Sequence, residues 1–158
     1  MPRLPLKKIS LGLAVALVAI QFVRPEKNLA VPAPFAGKDD ITALYPPPPD
    51  VRQTLAVACY DCHSDRTRYP WYANVQPLAW WLDNHIRDGK RQLNFTAFGA
   101  LPPKRQAKKL DALLDEVQDR AMPLPSYTWA HRDAKLTDAQ IKAFAAWVDS
   151  IQEKLGDK

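Results

Sequence analysis

The sequence is poor in glycine and in runs typical of β-strands. Only five of its 158 residues are glycine, against fifteen prolines, which indicates stiff connections and short helices. No segment shows a long alternation of β-branched residues, so nothing in the sequence favours a β-sheet. No internal repeat is visible. A chain of this length is expected to form one domain, and the pattern predicts that it is all-α.

Beyond its N-terminus the chain also lacks a strong charge of one sign. The formal net charge is +5, but the first 24 residues hold four basic side chains and no acidic one, which leaves eighteen basic and seventeen acidic side chains in the remainder. No basic patch with interleaved aromatic residues is visible. We therefore expect no nucleic-acid partner, and we attribute the basic charge to membrane targeting.

The N-terminus has the pattern of an export signal. Arg3, Lys7 and Lys8 precede an almost unbroken apolar run over residues 9–23. The run is short for a full membrane span, which needs ~20 residues, and no clean cleavage site follows it. Residues 1–24 are predicted to be a signal peptide or an uncleaved membrane anchor; a buried core helix is the alternative. Either export interpretation places the rest of the chain on the periplasmic side of the bacterial inner membrane.

Residues 25–49 are rich in proline and are predicted to form a tether of extended polyproline geometry. Such a tether would hold the domain off the membrane. The alternative is that this arm packs across the surface of the domain, to which Leu44 and Tyr45 can contribute. The folded domain is expected to cover residues 50–155.

Four amphipathic helices are predicted in that domain. The first follows Asp50 as a cap and runs into the cysteine motif. The second starts near Pro77 and stops at Gly89. The third covers residues 104–120, and the fourth begins with the capping box Thr137-Asp138-Ala139-Gln140. The apolar faces of the last three are Leu78, Trp81, Leu82, His85 and Ile86; Ala107, Leu110, Leu113, Leu114 and Val117; and Ile141, Phe144, Val148 and Ile151.

Both cysteines lie in one motif, Cys59-Tyr60-Asp61-Cys62-His63. This is the C-x-x-C-H pattern of covalent haem attachment. On a helical turn the two thiols project to the same side and can add to the two vinyl groups of haem, and the adjacent histidine reaches the iron. The sequence therefore predicts one covalently attached haem c, with His63 as an iron ligand.

Three other interpretations of the motif are open. The cysteines can form a thiol–disulfide redox pair, although the expected βαβ pattern is missing. They can join His63 and either His85 or His131 in a zinc site. They can also form a structural disulfide, which would close too short a loop to stabilise the chain much.

Three residues after the motif are candidates for the opposite side of the iron. Met122 precedes Pro123 in a segment between two predicted helices, where a loop methionine can swing over the haem; a core methionine that fills a gap is the alternative. His85 lies on an apolar helical face and is the alternative ligand, although a histidine there is more often hydrogen-bonded within the core. His131 lies beside Arg132 and Asp133 and is expected to be exposed.

The end of the chain resembles that of small bacterial class I cytochromes c. The resemblance rests on Met122-Pro123 followed by a closing helix with the sequence Leu136-Thr137-Asp138-Ala139-Gln140-Ile141-Lys142-Ala143-Phe144-Ala145-Ala146-Trp147. It implies that Met122 is the distal ligand. It also implies that Phe144 or Trp147 packs near the haem edge and against the first helix.

Residues 40–153 further resemble a bacterial haem-binding domain family related to cytochromes c. The matching residues are Cys59-Tyr60-Asp61-Cys62-His63-Ser64, Tyr69-Pro70-Trp71-Tyr72, Trp80-Trp81, His85, Leu93-Asn94-Phe95 and Met122-Pro123-Leu124-Pro125-Ser126-Tyr127. The resemblance implies haem binding in a small cytochrome c-like bundle of about four helices with long irregular loops, after an N-terminal hydrophobic helix. The insert at residues 69–94 departs from ordinary cytochromes c.

Other side chains are candidates for the surroundings of the haem. The aromatic residues of the insert can form a wall of the haem pocket or the ordinary core of a small domain; they are Tyr69, Trp71, Tyr72, Trp80 and Trp81. Four arginines can neutralise haem propionates, although each is also a plausible surface charge: Arg66, Arg68, Arg87 and Arg91. Asn94 is a possible polar contact.

The sequence thus predicts an electron carrier and not an enzyme. A haem iron held by His63 and Met122 is closed to substrates and has a relatively high reduction potential. Its partners would be periplasmic redox proteins and, through the N-terminal segment, the inner membrane. A peroxidase accessory or a haem module that senses gas or redox state is the alternative, since an open iron site beside His85 would suit either.

Overall fold

The computed structural model describes residues 6–156, which form eight α-helices, three 3₁₀ helices and no β-strand. The all-α prediction is confirmed for this part of the chain. The α-helices are α1 (Leu6–Ile20), α2 (Ile41–Leu44), α3 (Pro49–Ala58), α4 (Tyr60–His63), α5 (Leu78–Gln92), α6 (Pro103–Gln118), α7 (Pro125–Ala130) and α8 (Asp138–Gly156). The 3₁₀ helices are Trp71–Asn74, Phe95–Ala100 and Arg132–Ala134.

All four predicted helices of the domain are present, with corrected ends. The first begins at Pro49 and places Asp50 in its first turn, so Asp50 is not the cap. α6 begins at Pro103, another proline in a first turn. The capping box of α8 forms as predicted: the backbone N–H of Gln140 donates to Thr137 Oγ1 at 3.3 Å, and the N–H of Thr137 donates to Gln140 Oε1 at 2.9 Å.

The second predicted helix differs from its prediction in two ways. α5 continues through Gly89 to Gln92, so Gly89 does not end it. Its buried face is also rotated from the predicted one. Ala79, Leu82 and Ile86 are buried, whereas Leu78 and Trp81 are exposed.

The buried side chains form two hydrophobic clusters of unequal size. In the main core, α8 packs against both α3 and α6. The largest fully buried side chains of the main core are Tyr60, Phe95, Phe98, Phe144, Ile41 and Leu55. The outer cluster consists of Ala73, Leu82 and Ile86, with Cys62, Tyr69 and Tyr72 packed against it. Since α4 contacts both α3 and α5, the cysteine motif lies between the two clusters.

Residues 25–49 pack against the domain and do not stand off it as an extended tether, so the alternative interpretation of this arm describes the structure. Ile41 is fully buried in the main core. Leu29 forms an isolated antiparallel bridge with Arg66, and the side-chain amide of Asn28 donates to the carbonyl of Ser64 at 2.7 Å. The polyproline pattern is local, whereas these contacts are made with residues distant in the chain.

The apolar N-terminal run forms α1, a helix of fifteen residues with no buried side chain. Of the basic residues before the run, Arg3 lies outside the described residues. Within residues 6–156 no helix combines the length and the apolar character needed to cross a membrane.

Candidate functional site

The cysteine motif occupies a break between two helices. α3 ends at Ala58 and α4 begins at Tyr60, so Cys59 stands at the junction. The backbone N–H groups of Cys62 and His63 both donate to the carbonyl of Cys59, at 3.2 and 3.0 Å. This turn brings the two half-buried, unbridged thiols and the histidine together. Cys59 packs against the main core and Cys62 against the outer cluster.

The ring of His63 is oriented by a backbone carbonyl. Its Nδ1 lies 3.0 Å from the carbonyl oxygen of Leu93 and must carry the proton that is donated there. Burial lowers the pKa of His63 from its ordinary value, which favours the neutral ring. A neutral ring protonated at Nδ1 keeps a free electron pair on Nε2, as metal-binding histidines require.

Two adjoining cavities lie beside this histidine. Their volumes are about 190 and about 260 Å³. Cys59 lines the first, Cys62 lines the second, and His63 and Met122 line both. The walls are mainly apolar. Together the cavities have the size and character of a site for a large, flat, mostly apolar cofactor.

Met122 faces these cavities from the segment between α6 and α7. Its backbone N–H donates to the carbonyl of Glu116 at 3.0 Å, after Arg120 has turned the chain with a positive φ of 57°. Its side chain also packs against the main core. The position of Met122 therefore fits both interpretations, the iron ligand and the core methionine.

Asp61, the second variable residue of the motif, has a role that the sequence did not reveal. It is buried, and Arg68 donates to both of its carboxylate oxygens, from Nε and Nη2, at 3.1 Å each. The hydroxyl of Tyr127 donates to Asp61 Oδ2 at 2.8 Å. This network joins the motif to the first turn of α7, and so fixes the segment that carries Met122 from its C-terminal side.

Tyr60, the first variable residue, points into the main core. Its hydroxyl donates to Asp40 Oδ1 at 2.8 Å, and its ring stacks on Phe95 with a centroid distance of 5.1 Å. Asp40 also accepts from the backbone N–H of Thr42 at 2.9 Å, and its second oxygen has no hydrogen-bond partner in the described structure. The arm before α3 is therefore bonded directly to the motif.

Gly89 lets α5 approach the motif closely. A Cβ atom at this position would lie 2.8 Å from the carbonyl oxygen of Cys62. Only glycine fits without a shift of the backbone, which explains a glycine inside α5. The sequence showed the glycine, but its local pattern favoured a helix end.

The other interpretations of the cysteines find little support here. Burial raises the pKa of Cys59 to about 12 and, with Asp61, that of Cys62 to about 11. A catalytic redox pair needs a lowered thiol pKa. Residues 6–156 contain no group of three or more His, Cys, Asp or Glu side chains that could hold a metal ion, so the alternative zinc site is not assembled there.

The two remaining histidines differ in position. His85 lines the second cavity, and its Nδ1 bonds to the carbonyl of Trp81 at 2.8 Å. His131 lines neither cavity; it is half-buried, not exposed as expected, and stacks on Tyr127 with a centroid distance of 4.2 Å. His85 is therefore placed with the motif and Met122, whereas His131 is not.

Most of the other predicted contacts lie elsewhere. None of the five aromatic residues of the insert lines the two cavities: Tyr69 and Tyr72 pack on the outer cluster, and Trp71 and Trp81 are exposed. Phe144 and Trp147 are buried in the main core but line neither cavity. Asn94 caps the following 3₁₀ helix.

The four arginines also lie outside the cavity walls, and each has a protein partner. Arg66 donates to the carbonyl of Val31, and the others pair with Asp61, Asp83 and Asp88. Of the basic side chains in the described structure, Lys109 lines the first cavity.

Comparison with protein-family models gives one match, to the family described as haem-binding domain, over residues 15–150. No curated protein and no solved structure matches the chain. The matched region contains the outer cluster, most of the main core, the cysteine motif and the cavities, and the match supports haem as the cofactor. With most of its length matched, this chain belongs to the haem-binding domain family.

Proposed function

We propose that the protein carries one haem, attached covalently through Cys59 and Cys62, and transfers electrons on the periplasmic side of the inner membrane. The observation that carries the proposal is the arrangement around His63. A neutral imidazole protonated at Nδ1 shares one turn with two unbridged thiols and lines both apolar cavities. Haem supplies the one-electron chemistry of its iron when bound there.

The chain's own residues have distinct tasks in this proposal. The carbonyl of Leu93 holds the ring of His63 and fixes which nitrogen is free. The thiols of Cys59 and Cys62 stay protonated near neutral pH because burial raises their pKa values. Because no disulfide joins them, both thiols are available to add across the vinyl groups of haem. The apolar walls exclude water and lower the local dielectric.

Met122 is proposed as the ligand opposite His63. It lines both cavities, and its segment is fixed at one side by Glu116 and at the other by the bond between Tyr127 and Asp61. A thioether ligand favours ferrous iron and so raises the reduction potential. Iron with two protein ligands has no open position for a substrate, which suits a carrier and not an enzyme.

The runner-up function is a peroxidase accessory or a sensing module, and the position of His85 favours it. His85 lines the second cavity with its Nε2 free of hydrogen bonds in the described structure. If Met122 packs in the core instead of binding iron, His85 can serve as a distal acid–base group or as a sixth ligand.

Visible spectra of purified holoprotein, with and without carbon monoxide, test the proposal. Met122→Ala should open the sixth position, increase carbon monoxide binding and lower the reduction potential. His85→Ala is the matched control and should leave all three unchanged. The opposite pattern, with His85→Ala alone changing the spectrum and the potential, would refute Met122 ligation and favour the runner-up. Wild-type protein without retained haem would refute the proposal as a whole.

A further inference from the structure

The exposed apolar helix α1 is joined directly to the haem domain. The side-chain oxygen of Gln21, just after α1, accepts from the backbone N–H of Gln76 at 2.9 Å. The side-chain amide of Gln76 donates to the carbonyl of Val23 at 2.7 Å, and Trp80 Nε1 donates to the same carbonyl at 3.0 Å. The end of the apolar segment is therefore fixed to the start of α5, with no flexible linker between them.

The segment that receives α1 is the insert of the sequence analysis, and its first half is uncharged. Residues 69–82 include three tryptophans and two tyrosines but no acidic or basic side chain, in a chain that is 25% charged. The exposed fractions of three apolar side chains there are 79% for Trp71, 41% for Val75 and 46% for Leu78. We call Trp71, Val75 and Leu78 the apolar patch.

Neither the core nor the cavities account for the apolar patch. Its side chains are not buried in either hydrophobic cluster, and none of them lines the cavities beside His63. The apolar patch adjoins the end of α1. Gln76, which lies between Val75 and Leu78 in the chain, is hydrogen-bonded to Gln21. A surface that adjoins an exposed apolar helix and exposes a tryptophan beside aliphatic side chains has the composition of a membrane interface.

The charges beside this surface suit an anionic lipid. Residues 24–27 hold two basic side chains, Arg24 and Lys27, and one acidic side chain, Glu26; neither basic side chain forms an ion pair within residues 6–156. Arg24 donates to the carbonyl of Gln21, and Lys27 to the side-chain oxygen of Asn74. Both can therefore approach phospholipid headgroups at the edge of the patch.

We propose that the apolar patch lies on the lipid surface that receives α1, so that the haem domain rests against the membrane in one fixed orientation. The inference rests on the periplasmic location in the proposed function and takes α1 as the membrane anchor, and it is independent of the iron ligands. In this arrangement the insert is a lipid-docking element. The face of the molecule away from the patch stays free for soluble redox partners.

Photo-crosslinking tests this orientation. Full-length holoprotein is bound to vesicles of phosphatidylethanolamine and phosphatidylglycerol that contain a phospholipid with a diazirine close to its headgroup. After illumination, lipid adducts are mapped by mass spectrometry. We expect adducts in residues 6–23 and also in residues 69–82. The variant Trp71→Ser/Val75→Ser/Leu78→Ser should lose adducts in residues 69–82 several-fold while those in residues 6–23 are unchanged.

The matched control is Leu44→Ser on α2, because Leu44 is 42% exposed and lies outside the patch. It should change neither set of adducts, and the haem spectrum should confirm folding of every variant. Adducts in residues 6–23 alone would overturn the inference, since the domain would then stand off the lipid. A second result would also overturn the inference. If the wild-type protein gives no lipid adducts in residues 69–82 and the triple variant loses electron exchange with a soluble carrier, the patch binds a protein partner. No adducts anywhere, with an intact haem spectrum, would refute the membrane association itself.

Discussion

The main core and the outer cluster meet at the cysteine motif but differ in how they are supported. The main core combines α2, α3, α6 and α8 with the 3₁₀ helix Phe95–Ala100. The outer cluster has only Ala73, Leu82 and Ile86 as buried members, from α5 and the 3₁₀ helix Trp71–Asn74. Stability is therefore expected to come mainly from the main core, and the outer cluster is expected to depend on its contact with the motif.

The two variable residues of the motif also point to different parts of the fold. Tyr60 reaches into the main core and bonds to Asp40, whereas Asp61 reaches outward to Arg68 and Tyr127. The motif thus joins the main core through Tyr60, α7 through Asp61 and the outer cluster through Cys62. The comparison teaches that the motif is a structural junction as well as the proposed cofactor site, and four experiments can break or sharpen it.

The largest effect is expected from the cysteines. Cys59→Ala or Cys62→Ala should give protein without normal covalent haem and largely unfolded, because an apolar cofactor at the junction of both clusters is lost. Haem staining of denaturing gels measures attachment. In limited proteolysis of the folded wild-type holoprotein, residues 69–92 should be cut before residues 103–156. Equal cutting of both regions would show that the two clusters do not differ in stability.

Core truncations compare the two clusters directly. Phe144→Ala should lower the free energy of unfolding by about 3–5 kcal/mol, because its buried ring leaves a large cavity in the main core. Leu82→Ala should cost about 2 kcal/mol, at the low end for a buried leucine, because the small outer cluster can collapse around the gap. Urea unfolding of the holoprotein measures both. A larger loss for Leu82→Ala would reverse the proposed order of the clusters.

The contact between α5 and the motif can be broken at one position. Gly89→Ala should destabilise the protein by about 1–3 kcal/mol, since the added Cβ would meet the Cys62 carbonyl oxygen and the backbone must move. The control is Gly12→Ala, where nothing lies within 4 Å. Thermal unfolding monitored by circular dichroism compares the two. Unchanged stability of Gly89→Ala would mean that α5 does not need its close approach to the motif.

The smallest effects are expected from the two tyrosines bonded to carboxyl groups. Burial and the neighbouring aspartate raise the pKa values of Tyr60 and Tyr127 above their ordinary value. The unfolded chain ionises first, at about pH 10, so stability is fully present below that pH and is lost as the pH rises further.

Tyr60→Phe and Tyr127→Phe should each cost about 1 kcal/mol at neutral pH and reduce the alkaline loss of stability. Tyr60→Phe should cost more, because Asp61 keeps Arg68 whereas Asp40 already has one oxygen without a partner. Urea unfolding at pH 8 and above provides the measurement. An unchanged pH profile in both variants would exclude these tyrosines as its source.

The sequence by itself determined the elements that depend on neighbouring residues. The apolar spacing of α6 and α8 and the capping box at Thr137 are local, and all three formed as predicted. The spacing within the cysteine motif is local too, and it led to haem, which the family match supports. Both the helical periodicity and the spacing of the two thiols are set by residues close together in sequence, so they can be read without the rest of the fold.

Tertiary structure alone decided the features that join distant residues. The hydrogen bond between Asp61 and Tyr127 joins residues 66 positions apart, and no sequence pattern near Asp61 predicts it. The arm packs because Asp40 meets Tyr60, and Gly89 continues its helix because Cys62 lies against it. The exposed Leu78 and Trp81 show the same limit, since a helix with apolar residues on several sides can bury any of them. Which side of α5 is buried depends on the elements that pack against it, and the local sequence pattern carries no information about those elements.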